Sequence, residues 1–194
     1  MAISLSKGQK IDLTKTNPGL DKVTVGLGWD PIKSGGFSLF GGGGSNLDAD
    51  ASVLQLDANG KIAGKNAVIY FGNKKGPGIQ HSGDNLTGQG DGDDEQIVVN
   101  LSQVDSNVHR LVFVVNIYQA RQRKQHFGQV QNAYIRVLDN GNNELCRFNL
   151  TENHSGKTAL VVGEMYRYND EWKFGATGDG YDVGGLEDLI RLYN

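Results

Sequence analysis

The segment Gly83-Asp84-Asn85-Leu86-Thr87-Gly88-Gln89-Gly90-Asp91-Gly92-Asp93-Asp94-Glu95 packs carboxylates and glycines together. Carboxylates crowded into one turn repel one another unless a cation neutralises them. Calcium is a hard ion that takes about six to eight oxygen ligands, and this mixture of Asp, Glu, Asn and backbone carbonyls supplies oxygen alone. Within it Asp84, Asp91, Asp93, Asp94 and Glu95 lie close together with Asn85 as a neutral oxygen donor, and Gly83, Gly88, Gly90 and Gly92 let the backbone curl so that its carbonyls can point inward. Two other segments carry acids of the same kind. Leu47-Asp48-Ala49-Asp50-Ala51-Ser52 precedes a strand, and period-two alternation puts Asp48 and Asp50 on one face. Asp30 closes Gly26-Leu27-Gly28-Trp29-Asp30 just after another strand. If these ends meet, carboxylates converge from three segments, and the alternative is a solvated acidic turn.

The match to known calcium loops is partial. Asp84 and Glu95 have the first-to-last spacing of an EF-hand, but Leu86 and Gly88 stand where oxygen-bearing side chains belong and no helices flank the loop. Magnesium favours fewer protein ligands and keeps several waters, so a carboxylate-rich loop favours calcium. Zinc is disfavoured, because the 4 histidines and 1 cysteine show no ligand spacing.

The elements that must hold these acids read as strands. Runs rich in Val, Ile, Phe and Tyr lie at 23–27, 53–56, 67–71, 96–101, 111–117, 133–138, 144–149, 158–167 and 171–176, separated by Gly, Asn and Asp. Asp57-Ala58-Asn59-Gly60 and Asp139-Asn140-Gly141-Asn142 read as tight turns. Residues 184–193 place Leu186, Leu189, Ile190 and Tyr193 on one helical face. Residues 119–126 read equally as a short helix or a loop. Many strands with few helices predict a mainly β, two-sheet β-sandwich with a short C-terminal helix. No repeat or composition break divides residues 1–194, so a single domain is expected, with Gly41-Gly42-Gly43-Gly44 in a surface loop.

Composition narrows the function. A net charge of -3 argues against nucleic-acid binding, which depends on a basic surface. No Lys or Arg occurs between Gly76 and His109, where the carboxylates concentrate. No run of about 18 apolar residues exists, so no transmembrane segment is expected. The N-terminus lacks the pattern of a secretory signal, and the single Cys146 suits a reducing compartment, so a cytoplasmic location is expected.

Catalytic readings are weaker. Ser155-Gly156-Lys157-Thr158 resembles the end of a phosphate loop, but Thr151 stands where its first glycine belongs. Cys146 lies inside a strand pattern with no histidine nearby, and no Gly-x-Ser-x-Gly elbow appears. Arg121, Arg123 and Lys124 form a small basic group beside His126, most simply a solvated face. The expectation is a non-enzymatic calcium-binding module. The alternative is a metal-dependent enzyme, or a sensor that uses the same acids to orient an oxyanion.

Read as a series, the motifs resemble those of TerD-type tellurite-resistance and general stress proteins along nearly the full length. The opening Ser4-Leu5-Ser6-Lys7-Gly8 and Pro18-Gly19-Leu20, then Gly26-Leu27-Gly28-Trp29-Asp30 and Asp48-Ala49-Asp50-Ala51-Ser52, are similar to the family's elements. His81-Ser82-Gly83-Asp84-Asn85-Leu86-Thr87-Gly88 running to Asp93-Asp94-Glu95 is the most specific match. Phe127-Gly128-Gln129-Val130-Gln131-Asn132-Ala133, Gly163-Glu164-Met165-Tyr166-Arg167 and Glu171-Trp172-Lys173-Phe174 extend it. The resemblance implies a calcium-binding β-sandwich of the bacterial cytoplasm with no established catalytic activity. It also implies work beside other proteins of a stress-resistance complex. Carried to matching positions, it implies Asp30, Asp48, Asp50, Asp84, Asn85, Asp93, Asp94 and Glu95 as ligands, with backbone carbonyls of Gly88 and Gly90. The sequence departs from the pattern at Leu47, where Phe is typical, and at Tyr118-Gln119-Ala120, where His-Asp-Ala is more usual. The second departure removes one acidic group from that loop.

Overall fold

The computed structural model describes residues 2–31, 47–82 and 92–194. The predicted Asp84, Asn85, Gly88 and Gly90, and the glycine run 41–44, lie outside these residues.

Two sheets face each other. The first contains β1 (Ile3–Leu5), β3 (Lys22–Pro31), β6 (Lys75–Gly76), β7 (Ile79–His81), β8 (Glu95–Asn100), β10 (Val130–Leu138) and β11 (Glu144–Asn149), ordered β1-β11-β10-β3-β8-β7-β6 among the described residues. The second contains β2 (Lys10–Asp12), β4 (Ala49–Leu56), β5 (Val68–Ile69), β9 (Arg110–Ile117), β12 (Ala159–Tyr168) and β13 (Glu171–Tyr181), ordered β2-β13-β12-β9-β4-β5. Pairing is antiparallel except where β1 lies parallel to β11. The expected mainly β sandwich with a short C-terminal helix is what the chain forms.

Alternation assigns the faces. In β4, Ala49, Ala51 and Val53 point between the sheets, where they join Val25, Leu27, Ile97, Phe113 and Phe174 in the main core. Leu54 and Leu56 point the other way and meet Val112, Val114, Ala159 and Val161 in a second cluster outside the second sheet. That cluster is roofed by α2 (Leu186–Ile190), which buries Leu189 completely and packs Leu186 and Ile190 against it, with Tyr193 added from the 3-10 turn that follows. The apolar face read from the sequence is therefore the face that docks.

Several elements differ from expectation in extent. β4 begins at Ala49 rather than 53, because pairing with β9 continues through Asp50↔Asn116 and Ala49↔Ile117 although Asp disfavours strands. β13 runs on to Tyr181 through Gly178 and Asp179, where the β12–β13 register shifts and Gly178 takes φ +75. The ambiguous 119–126 segment resolves into one helical turn, α1 (Ala120–Arg123), held between Gln119 and Lys124, both left-handed.

Candidate functional site

The acids gather at one end of the sandwich. β3 runs antiparallel to β8 with Leu27 opposite Glu95, so the last residues of β3 lie beside the entrance to β8. The entrance of β4 belongs to the other sheet, and Ala51 N–H donates to Glu95 Oε2 across the gap at 2.6 Å.

Asp93 is held by protein donors. Arg136 on β10 clasps it with two charge-assisted bonds, Nε to Oδ1 at 2.7 Å and Nη2 to Oδ2 at 3.1 Å. Tyr134 Oη donates to Oδ1 at 2.9 Å and Gln96 Nε2 to Oδ2 at 3.0 Å. A glycine makes the space: a Cβ at Gly26, which lies opposite both Gln96 and Arg136, would overlap the carboxylate. Burial and the Asp93 bond push the Tyr134 phenol well above its ordinary range, so it remains a donor. Arg147 lies over the same ring, 3.5 Å from its centroid. Asp93 would have to exchange one of these four donors to reach an ion.

Asp94 points elsewhere. Its Oδ2 accepts from Trp29 N–H at 2.7 Å, and its own N–H donates to Leu27 C=O at 2.8 Å. Its carboxyl is raised above the usual range, first by burial and then by the charges of Asp30, Glu95 and Asp93. Asp30, at the end of β3, accepts from Asn132 Nδ2 at 2.8 Å, where a register shift in β10 lets Asn132 adopt φ 54.

Glu95 and His81 close the edge of β4. β5 pairs with β4 only at Val53 and Leu54, so the backbone of Ala51 needs other partners. Its N–H goes to Glu95, and its C=O lies 3.0 Å from His81 Nε2. A carbonyl only accepts, so Nε2 carries the proton; it also lies 3.3 Å from Glu95 Oε2. Both side chains are fully buried. The pair thus ties the first sheet to the second directly beneath the acidic end, and nothing in the sequence beyond His81 heading its motif signalled it.

Asp48 and Asp50 stand on the outer face of the second sheet. Asp50 is buried and lies opposite Asn116 on β9. Tyr118 N–H donates to Asp48 C=O at 2.7 Å, and Arg123 Nη1 approaches Asp48 Oδ2 to 3.6 Å while its guanidinium lies over the Tyr118 ring. The basic turn read as a solvated face therefore places one of its cations at the acidic end.

The structure accordingly brings Asp30, Asp93, Asp94 and Glu95 together and sets Asp48 and Asp50 across the second sheet, joined to them through Ala51. Among the described residues, no three His, Cys, Asp or Glu side chains converge as a ready metal cage. Cys146 is fully buried in β11, and burial pushes its thiol up to about 12, which leaves it without nucleophilic character. No helix among the described residues is long and apolar enough to cross a membrane.

A sandwich of this topology belongs to a recognised class. The family model of the TerD domain matches residues 1–193, and the chain belongs to that family. It is 57% identical to stress response protein SCP2 of Bacillus subtilis over the whole of both chains. It is 52% identical to general stress protein 16U of the same organism, covering 100% of this chain and 97% of that one. It is 43% identical to tellurium resistance protein TerD of Serratia marcescens, again over 100% and 97%. A crystal structure of a TerD homologue from Streptomyces coelicolor superposes with a TM-score of 0.68 at 25% identity, covering 91% of this chain and 99% of that one.

Proposed function

We propose that the acidic end of the sandwich binds calcium and that the protein serves a bacterial response to tellurite or chemical stress as a non-catalytic binding or scaffold module. The observation that carries the calcium reading is Asp94. It is a half-buried carboxylate whose proton affinity is raised by burial and by Asp30, Glu95 and Asp93 together. Crowded carboxylates of this kind are relieved by a multivalent cation. The donors fit a hard ion, because the side chains of Asp30, Asp48, Asp50, Asp94 and Glu95 offer oxygen, and the nearby His81 Nε2 is committed to Ala51. Asp84, Asn85 and the carbonyls of Gly88 and Gly90 complete the proposed set from the adjoining segment. When bound, calcium would supply charge neutralisation and order, not reactive chemistry. The stress role is supported by the names of the relatives, and a cytoplasmic setting is supported by the lone buried thiol. Partner proteins of a stress-resistance complex belong to the same proposal.

Thermal unfolding of chelator-stripped protein tests it. An ion that binds the folded state alone stabilises by mass action once its concentration exceeds the dissociation constant. Millimolar calcium is expected to raise Tm, and Asp94→Asn, which leaves the Arg136–Asp93 clasp in place, to lessen the rise. Equal melting of the wild type with and without calcium refutes the reading. A second reading, a metal-dependent enzyme or oxyanion sensor, is favoured by Arg123 standing at the acidic end. Heat on titrating tellurite or a nucleotide into calcium-loaded protein, absent in chelator, would support it.

A further inference from the structure

We propose that the carboxamide oxygen of Asn116 is a ligand of the ion at this end of the molecule, paired with Asp50. The inference rests on the calcium reading and adds a residue outside the acidic motifs. Asn116 is 7% exposed, and its Oδ1 accepts no hydrogen bond among the described residues. An unsatisfied buried carbonyl is destabilising, so such an atom needs a reason.

Its position supplies one. Asn116 and Asp50 are direct partners across the antiparallel β4–β9 pair, where opposite Cβ atoms stand about 4.5–5.5 Å apart. Alternation puts both on the outer face of the second sheet, at the top of the apolar cluster that holds Val112, Val114 and Leu54. One step along β4 on that face, the Ser52 hydroxyl is fully buried and likewise unpartnered among the described residues. Two orphaned oxygens beside a buried carboxylate, with leucines and valines below them, form a polar spot on an apolar face. Amide carbonyls belong to the oxygen set that calcium takes, and a neutral ligand beside Asp50 adds coordination without adding repulsion. A buried water bridging the same atoms is the competing explanation.

The test compares the wild type, Asn116→Leu and Asn116→Asp by calorimetric titration with calcium chloride and by thermal unfolding in chelator. Leucine keeps the branched outline of asparagine at somewhat greater volume, removes the orphaned oxygen and suits the apolar neighbours. Asn116→Leu is therefore expected to melt at or above the wild type in chelator while binding calcium at least about tenfold more weakly, as the loss of a ligand or its support does. Asn116→Asp keeps an oxygen and adds repulsion toward Asp50, so it should melt lower in chelator and recover in calcium; this arm holds if the leucine variant fails to fold. Wild-type binding with both variants within twofold of it overturns the assignment and leaves the calcium reading standing. A leucine variant that is stabilised yet binds calcium normally identifies an ordered water only. A fall in Tm in chelator for both variants, with no recovery of Asn116→Asp in calcium, identifies a purely structural amide. Wild-type protein that takes up no calcium defeats the calcium reading and this assignment with it.

Discussion

Replacing Arg136 with methionine removes a guanidinium from a carboxylate that cannot retreat to water. Asp93 is fully buried at its side chain, whereas Arg136 is 25% exposed, and the two share paired bonds of 2.7 and 3.1 Å. Breaking a buried pair by deleting one partner costs about 3–5 kcal/mol. Two features pull the figure down: Tyr134 and Gln96 still donate to Asp93, and the partial exposure of Arg136 screens part of the attraction. The expected loss for Arg136→Met is therefore about 2–4 kcal/mol. Asp93→Asn keeps the shape and one acceptor and should cost less, about 1–2 kcal/mol, and the double variant should cost less than the sum, with a coupling of about 1–3 kcal/mol. Urea unfolding of the four proteins in chelator at neutral pH measures the cycle. Gly26→Ala gives an independent check, since its methyl would enter the space of a carboxylate clamped by four donors. A coupling below about 0.5 kcal/mol, or a harmless Gly26→Ala, would refute the clamp.

The Cys146 thiol, raised by burial to about 12, should resist a disulfide reagent at pH 8 in the native state and react once urea unfolds the chain. His154 is lowered by burial below its ordinary 6.5, so the unfolded chain takes up the proton first. Its contribution is whole above 6.5 and is lost as pH falls, and His154→Gln should flatten the stability profile below that pH in urea titrations. Leu189→Ala, on the buried face of α2, should cost about 2–5 kcal/mol by the same unfolding assay and leave any calcium-dependent rise in Tm intact.

Much of the frame was legible in the sequence, for reasons that particular elements make plain. The strands over 111–117 and 144–149 stand within a residue of their expected limits, the first because Val112-Phe113-Val114-Val115 is a β-branched and aromatic run, the second because the turn Asp139-Asn140-Gly141-Asn142 fixes where it begins. The 184–193 face docks as its spacing requires. The short strands β1, β2, β6 and β7 carry too few residues for any periodicity, and only tertiary pairing defines them. At the candidate site, the grouping of Asp30 with Asp93, Asp94 and Glu95 followed from motifs at strand ends. The clasp of Asp93 by Arg136 did not, because the two are far apart in the chain and meet only through the register of β10 on β3. Asn116 escaped for the same reason: inside an apolar strand, an asparagine carries no signal until its cross-strand partner is known to be Asp50.

A crystal structure of the protein grown with calcium decides whether the acidic end holds the ion. An ion is expected at the end formed by β3, β4 and β8, bound by about six to eight oxygens at about 2.3–2.6 Å. Oxygens of Asp94, Asp50 or their neighbouring acids should be among them. An acidic end that stays without an ion at millimolar calcium, or calcium held only at unrelated surface carboxylates, would contradict it.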